Sequence, residues 1–241
     1  MKNKSYFIVL AFITSVSLLI ASCNFMGAIK GNGKIVSVDR ELNGEFAKVE
    51  IEGTYTLNIS QGTTPKLRIE TDENLIPYIE TKVKNHKLIV KNKRRISSAK
   101  DIIINLTIGT ITDLEASGAV LVRSAGKINF DKFNMELNGA SNVLMEMNCV
   151  EFNAECNGSS TLKLIGAASD SKIEVSGACD IDNQQMIVEN MNLIVNGGAK
   201  VIVNVLTKLD VKVNGAAQVE YLGAPEVHKE ISGAGSVEKI F

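Results

Sequence analysis

The sequence predicts an all-β protein whose body is a β-solenoid with about 19 residues per rung. Three observations lead to this prediction. A glycine motif recurs seven times from residue 114 onward. Apolar and polar residues alternate on both sides of each glycine, which is the period of a β-strand. With 19 glycines, 3 prolines, no tryptophan and 5% aromatic residues, the core has to be filled by aliphatic side chains.

The repeat has the pattern apolar-x-apolar-(Ser or Asn)-Gly-small, with a further apolar position four residues after the glycine. Consecutive glycines are 21, 19, 19, 20, 18 and 18 residues apart. Positions two and four before the glycine lie on one face of a strand. Because glycine tolerates positive φ, it predicts a sharp corner between two strands. The predicted corner glycines are Gly118, Gly139, Gly158, Gly177, Gly197, Gly215 and Gly233.

A unit of this length cannot bury its own apolar face. Stacking the units about 4.8 Å apart would join their equivalent apolar positions into one continuous core. The polar residue before each corner could then form hydrogen bonds from one rung to the next, so we interpret this column as structural. Its members are Ser117, Asn138, Asn157, Ser176, Asn196, Asn214 and Ser232.

The first 22 residues are predicted to be a lipoprotein signal peptide. Lys2 and Lys4 precede an apolar run over residues 8–20, which is too short to span a membrane comfortably. The run ends in Ile20-Ala21-Ser22-Cys23, which resembles a bacterial lipobox. In a lipobox the cysteine is diacylated and becomes the mature N-terminus, and its acyl chains hold the protein at a bilayer. We therefore predict lipidation at Cys23, export, and anchoring in the cell envelope, on either the periplasmic or the surface side of the outer membrane.

The mature chain is predicted to be one domain. Residues 23–33 form a tether, and residues 34–241 form a single β-solenoid domain with irregular rungs over 34–110 and regular rungs over 111–241. In the last unit Lys229 replaces an apolar residue, and we expect it to protect an open sheet edge. We also expect residues 236–241 to fold back as a partial cap on that end.

The order of the motifs resembles a known family. Phe46-Ala-Lys-Val-Glu-Ile-Glu-Gly53 and Leu57-Asn-Ile-Ser-Gln-Gly62 precede the tandem units, and Tyr221-Leu-Gly-Ala-Pro225 precedes the last unit. Over residues 30–241 this is similar to the putative auto-transporter adhesin, head GIN domain family of Bacteroidetes-type bacteria. The resemblance implies a right-handed fold like a parallel β-helix and an adhesin-like role, and it brings no catalytic residue to this chain.

A column of glutamates is the candidate binding face. Three residues before the glycine, four consecutive units carry Glu115, Glu136, Glu155 and Glu174. Stacked carboxylates could attract Ca²⁺ between rungs or supply a carboxylate pair for glycoside cleavage. Alternation against the core also explains the column as a solvated strand face, which we favour. We therefore predict no metal and no cofactor.

Other chemistry has little support in the sequence. His86 and His228 are the only histidines, and both are expected at the surface. The mature cysteines Cys149, Cys156 and Cys179 are odd in number and fit no zinc spacing. The net charge of −1 gives no argument for a nucleic-acid partner. A basic run over residues 91–95 is interpreted as a solvated loop, with contact to an anionic lipid or a glycan as the alternative.

Taken together, these features predict a non-catalytic cell-envelope lipoprotein with adhesin-like binding of a polymer or a partner protein, the ligand being a glycan or a protein. One alternative is a carbohydrate-active enzyme, either a polysaccharide lyase or a glycoside hydrolase, on a β-helix scaffold. Another is a purely structural envelope protein. An enzyme needs convergent acids in a groove, whereas a binding protein needs only an extended face.

Overall fold

The computed structural model describes residues 27–240. These residues form a β-solenoid of about 6 turns with roughly 19 residues per rung, and 75% of the structure is strand. The predicted fold class is thereby confirmed. The predicted signal peptide, Cys23 and Phe241 lie outside the described residues.

The elements follow one another with short connections. The N-terminal part contains β1 (Ile29–Lys30), β2 (Ile35–Arg40), β3 (Lys48–Gln61), β4 (Lys66–Asp72), a 3-10 helix (Glu73–Tyr78), β5 (Ile79–Lys84), β6 (Lys87–Asn92), β7 (Ile96–Ser97) and β8 (Ile103–Ile108). The regular part contains β9 (Asp113–Gly139), β10 (Asn142–Gly158), β11 (Thr161–Gly177), β12 (Asp180–Gly197), β13 (Lys200–Gly215), β14 (Gln218–Leu222), β15 (Glu226–Gly233) and β16 (Ser236–Lys239).

The long strands β9 to β13 bend within each rung and pair in parallel with their neighbours. The register places each corner glycine of β10 to β13 and β15 beside the corner glycine of the preceding rung. Like columns therefore stack, and the position two residues before the glycine is buried from Leu137 through Cys156 and Val175 to Val213. Burying an aliphatic side chain of this size contributes about 1.5–3 kcal/mol, so these columns are the main source of stability.

The N-terminal part does not stack in chain order. Strand β3 lies between β9 on one side and β6 and β8 on the other, and it is parallel to all three. Strand β4 is antiparallel to β8, and β2 is antiparallel to β4. This end of the solenoid is therefore closed by antiparallel strands rather than by another rung.

Residues 27–33 pack on this closed end. Strand β1 pairs in parallel with β7, and the Ile29 N–H donates to the Arg95 carbonyl oxygen at 3.0 Å. The 3-10 helix is a single short element of six residues that contains Pro77 and buries Leu75. Ile29 and Lys30 of the predicted tether are thus part of a strand.

The C-terminal end differs from its prediction. Strand β16 pairs in parallel with β14, and the Ile240 N–H donates to the Tyr221 carbonyl oxygen at 2.9 Å. The expectation that this segment folds back over the last rung is wrong for residues 236–240, because continuing the coil satisfies the backbone groups of β14. The core position of the last rung is consequently open, and Ile231 is 42% exposed.

Candidate functional site

The seven predicted corner glycines all have positive φ, between 100° and 131°. The corner at Gly177 shows why glycine is needed there. A Cβ atom on Gly177 would lie 2.3 Å from the carbonyl oxygen of Gly158. That same carbonyl accepts a hydrogen bond of 2.9 Å from the N–H of Ala178, which draws the two corners together. Conformation and close approach thus both require glycine, and these residues form the frame of the site.

The Ser and Asn column next to the corners forms amide pairs. The Asn157 side chain donates to the Asn138 side-chain oxygen at 3.1 Å, and Asn214 donates in the same way to Asn196 at 2.8 Å. Ser176 stands between the two pairs in the stack. The column therefore consists of separate pairs and not of a continuous ladder.

The glutamate column is longer than the sequence indicated. Strand pairing places Glu50 of β3 beside Glu115, and Glu155 lies between Glu136 and Glu174. The order in the stack is thus Glu50, Glu115, Glu136, Glu155 and Glu174. Glu50 stands in the Val49-Glu-Ile51-Glu-Gly53 segment, which matches the repeat, so the signal for it was present in the sequence.

Most of these carboxylates have a partner. The Lys87 ammonium contacts Glu50 at 2.8 Å and Glu115 at 3.3 Å, and the hydrogen bond to Glu50 raises the pKa of Lys87. Glu136 accepts a 2.8 Å hydrogen bond from Asn138, and Glu174 is paired with Lys172 at 2.5 Å. Within residues 27–240, Glu155 is exposed and has no hydrogen-bonding partner. No local pattern predicted the contact of Lys87 with these glutamates, because Lys87 follows a hairpin turn and lies 28 residues before Glu115 in the chain.

Two further polar columns run beside the glutamates, one five residues before each corner and one seven residues before every corner from Gly139 onward. In the first of them, Asn153 donates to Asn134 at 3.0 Å and Asn134 donates to Asp113 at 3.4 Å. In the second, Glu151 is paired with Lys132 at 2.6 Å, and this contact lowers the pKa of Glu151. We call the three columns together the polar face.

Two shallow grooves follow the polar face and meet at Asn153. The first has a volume of about 370 Å³, and the second about 520 Å³. The first groove is mainly acidic, and its polar lining is Lys48, Lys87, Asp113, Glu115, Asn134, Glu136, Asn153 and Glu155. The second groove has charges of both signs, and its polar lining is Glu151, Asn153, Asp170, Ser171, Lys172, Asn190, Asn192, Lys208 and Asp210.

The cysteines and histidines lie apart from the polar face's grooves. Cys149, Cys156 and Cys179 are free and buried, and burial raises the pKa of Cys156 to about 12. His228 is exposed, with its ring nitrogen 3.8 Å from Glu230. Over residues 27–240 there is no group of three or more His, Cys, Asp or Glu side chains that could hold a metal ion.

A second set of contacts, around Asp72, had no signal in the sequence. The Asp72 carboxylate accepts hydrogen bonds from the Gly33 N–H and the Ser98 hydroxyl, both at 2.5 Å. Asn74 accepts from the Asn32 N–H at 2.9 Å and donates to the Lys30 carbonyl oxygen at 2.8 Å. We call Asp72 and Asn74 the N-terminal clip, because they fix residues 30–33 on the closed end.

Among residues 27–240, no helix has the length and apolar character needed to cross a membrane.

Comparison with known proteins gives one family and several solved structures. A family model described as "Putative auto-transporter adhesin, head GIN domain" matches residues 45–225. A crystal structure of a putative adhesin from Bacteroides fragilis NCTC 9343 is similar with a TM-score of 0.83 and 21% identity, covering 88% of this chain and 100% of that chain. A putative lipid binding protein from Parabacteroides distasonis ATCC 8503 is similar with a TM-score of 0.74 and 19% identity, covering 89% and 100%.

A putative adhesin from Parabacteroides merdae ATCC 43184 has a TM-score of 0.71 and 21% identity, covering 89% of this chain and 99% of that chain. No protein in the curated set matches the chain. At these identities the solved structures support the fold.

Proposed function

Because the chain belongs to the putative auto-transporter adhesin, head GIN domain family, we propose that it is an adhesin-like, non-catalytic lipoprotein of the cell envelope. In this proposal Cys23 carries the lipid, the outer membrane holds the protein, and the polar face binds a polymer or a partner protein. The proposal includes the domain layout, with a tether from residue 23 and one β-solenoid domain from residue 34.

The observation that carries the proposal is the polar face. Its columns repeat from rung to rung at about 4.8 Å, so a ligand lying along the stack meets similar groups again and again. The grooves are shallow and join at Asn153, and they offer a long surface rather than an enclosed pocket. An extended ligand fits such a surface better than a small molecule, which is usually bound in a deep apolar pocket.

The side chains indicate which chemistry would be recognised. Asn134, Asn153, Asn190 and Asn192 present amide groups in the grooves, and Glu136 and Glu155 present exposed carboxylates. Amides and carboxylates are hydrogen-bonding partners for hydroxyl groups and for protein backbone groups. A glycan or an extended segment of a partner protein is therefore the class of ligand that we propose.

Catalysis is the alternative that the same residues raise. Glu136 and Glu155 are neighbours across adjacent strands, and the carboxylates of retaining glycosidases stand about 5 Å apart. Catalysis also needs an acid and a base in different environments and a site that encloses the scissile bond. Both glutamates are exposed on the same flat face, which supports binding rather than cleavage.

A glycan array and a pull-down from envelope extract, both with residues 24–241, test the proposal. The informative variant is Glu136→Gln with Glu155→Gln, and we expect it to lose most of the captured ligand. The matched control is Asp180→Asn with Glu238→Gln, which removes the same charge from exposed positions away from the polar face.

Equal capture by both variants would refute the polar face as the binding surface. Release of shortened glycan fragments by the unmodified protein, lost in Glu136→Gln with Glu155→Gln, would instead favour the enzyme.

A further inference from the structure

The closed end of the solenoid carries a cluster of cations that the polar face does not explain. Lys30, Lys93, Arg94, Arg95 and Lys100 are all exposed there. None of these five forms an ion pair with a carboxylate in the described part of the chain. We call these five residues the basic end.

The fold assembles this cluster from distant parts of the sequence. Pairing of β1 with β7 brings Lys30 next to the segment that follows Arg95, and both residues line one groove of about 490 Å³. The Lys93 side chain donates to the Pro77 carbonyl oxygen at 3.2 Å, which places it at the end of the 3-10 helix. Lys100 lies near the N-terminal clip, where its charge helps to lower the pKa of Asp72.

The acidic groups near the basic end are too few, or already paired with other residues, to balance its five positive charges. Asp72 is only 2% exposed and is stabilised by the Gly33 N–H and the Ser98 hydroxyl, so its single negative charge offsets one of the five cations. Glu73 is paired with Lys34 at 2.9 Å. Asp101 is the exposed acid next to Lys100 in the chain. Lys91 does not belong to the cluster, since strand pairing places it between Glu52 and Glu80.

We propose that the basic end docks on the anionic headgroups of the membrane that holds the lipidated N-terminus. This inference rests on the lipid anchor proposed above for Cys23. Three residues lie between Cys23 and Gly27, so the four residue steps that join them span at most about 14 Å. The N-terminal clip prevents a longer reach by fixing residues 30–33. A lipid on Cys23 would therefore keep the Lys30 and Arg95 groove next to the headgroup layer.

The charge distribution also selects an orientation. The polar face is acidic in its first groove, around Asp113, Glu115 and Glu136, so an anionic bilayer repels a solenoid lying on that side. Contact through the basic end leaves the solenoid standing away from the bilayer. The polar face then runs outward from the membrane and stays open to a ligand.

Vesicle co-sedimentation of residues 24–241, which include every described residue, tests the docking without the lipid anchor. The probes are vesicles of phosphatidylcholine alone and vesicles that also contain phosphatidylglycerol. We expect binding to the anionic vesicles only, and we expect it to weaken as salt is added. Because each cation near an anionic surface strengthens binding about five-fold, Arg94→Gln with Arg95→Gln should weaken it about 25-fold.

The matched control is Lys200→Gln with Lys239→Gln, which removes two exposed positive charges far from the basic end and should leave vesicle binding unchanged. Equal binding to both vesicle types, or an equal loss in the control, would overturn the proposal. Binding of heparin but not of anionic vesicles, lost in Arg94→Gln with Arg95→Gln, would also overturn it and would assign the basic end to anionic glycans. The ligand captured by the polar face should be unaffected by this variant, so each of the two proposals can fail alone.

Discussion

Replacing the corner glycine Gly177 by alanine tests how the rungs stack. An alanine there has φ near 127°, and its Cβ would lie 2.3 Å from the Gly158 carbonyl oxygen. A non-glycine residue at such a φ costs about 1–3 kcal/mol. Moving the two corners apart also weakens the 2.9 Å hydrogen bond from Ala178 to Gly158, which costs about 1 kcal/mol more. We expect a loss of about 2–4 kcal/mol, with a larger loss for Gly177→Val.

Two other glycines distinguish the cost of the backbone conformation from the cost of the close approach between corners. Gly126 has φ of 93° but nothing within 4 Å of a Cβ atom, so Gly126→Ala measures the cost of conformation alone. Gly198 has no such φ and no atom within 4 Å, so Gly198→Ala should be neutral. The assay is thermal unfolding followed by circular dichroism, where each kcal/mol is worth about 2–4 °C in a domain of this size. If Gly177→Ala has the melting temperature of Gly126→Ala, the corner does not depend on close approach, and if it has the melting temperature of Gly198→Ala, neither cause holds.

The remaining predictions concern the anchor, the clip and the thiols. Cys23→Ala should release the protein from membranes or block its maturation; a membrane-bound variant with a cleaved leader would contradict lipidation. The hydrogen bond from Ser98 lowers the pKa of Asp72. The ionised Asp72 therefore stabilises the fold fully above the unfolded pKa of about 3.9, and this stabilisation is lost as the pH falls through the lower pKa of the folded state. In Asp72→Asn, the protection of residues 27–33 from proteolysis or hydrogen exchange should no longer decrease as the pH falls. A pH profile equal to that of the unmodified protein would mean that Asp72 does not hold residues 27–33. Burial raises the pKa of Cys149 to about 11 and that of Cys156 to about 12. The thiols of residues 24–241 should therefore resist a disulfide reagent at pH near 8 until denaturant is added, and rapid labelling of the native protein would show that the core opens.

The regular rungs were predictable because the repeat carries its own register. Once Gly158 stacks on Gly139, the spacing forces Cys156 onto Leu137 and Glu155 onto Glu136. When equivalent residues of parallel strands lie side by side, the spacing of the repeat alone determines how the strands pair. For this reason the fold class and the membership of each column in the regular part followed from the sequence.

The irregular part was not predictable in the same way. Gly53 pairs with Gly118 across 65 positions, while β6 and β8, which come between them in the chain, lie on the outer side of β3. The repeat-like segment Val49–Gly53 marks β3, but no local pattern records that β6 and β8 lie on the outer side of it. The Lys87 bridge, the N-terminal clip and the basic end all depend on this order, so the sequence could not assemble them.

The two ends of the solenoid illustrate how local sequence and stacking can disagree. Residues 236–241 were expected to cap the last rung, yet β16 continues the coil because β14 offers unpaired backbone groups in register. The cost is an open layer with Ile231 exposed, and Lys229 remains a predicted defence against edge-to-edge pairing. At the other end antiparallel β2 and β4 close the sheet, and residues 27–33 pack there. If the closed end faces the membrane, the open rung is the point farthest from it, so contacts between copies on one membrane would have to form along the solenoid sides rather than end to end.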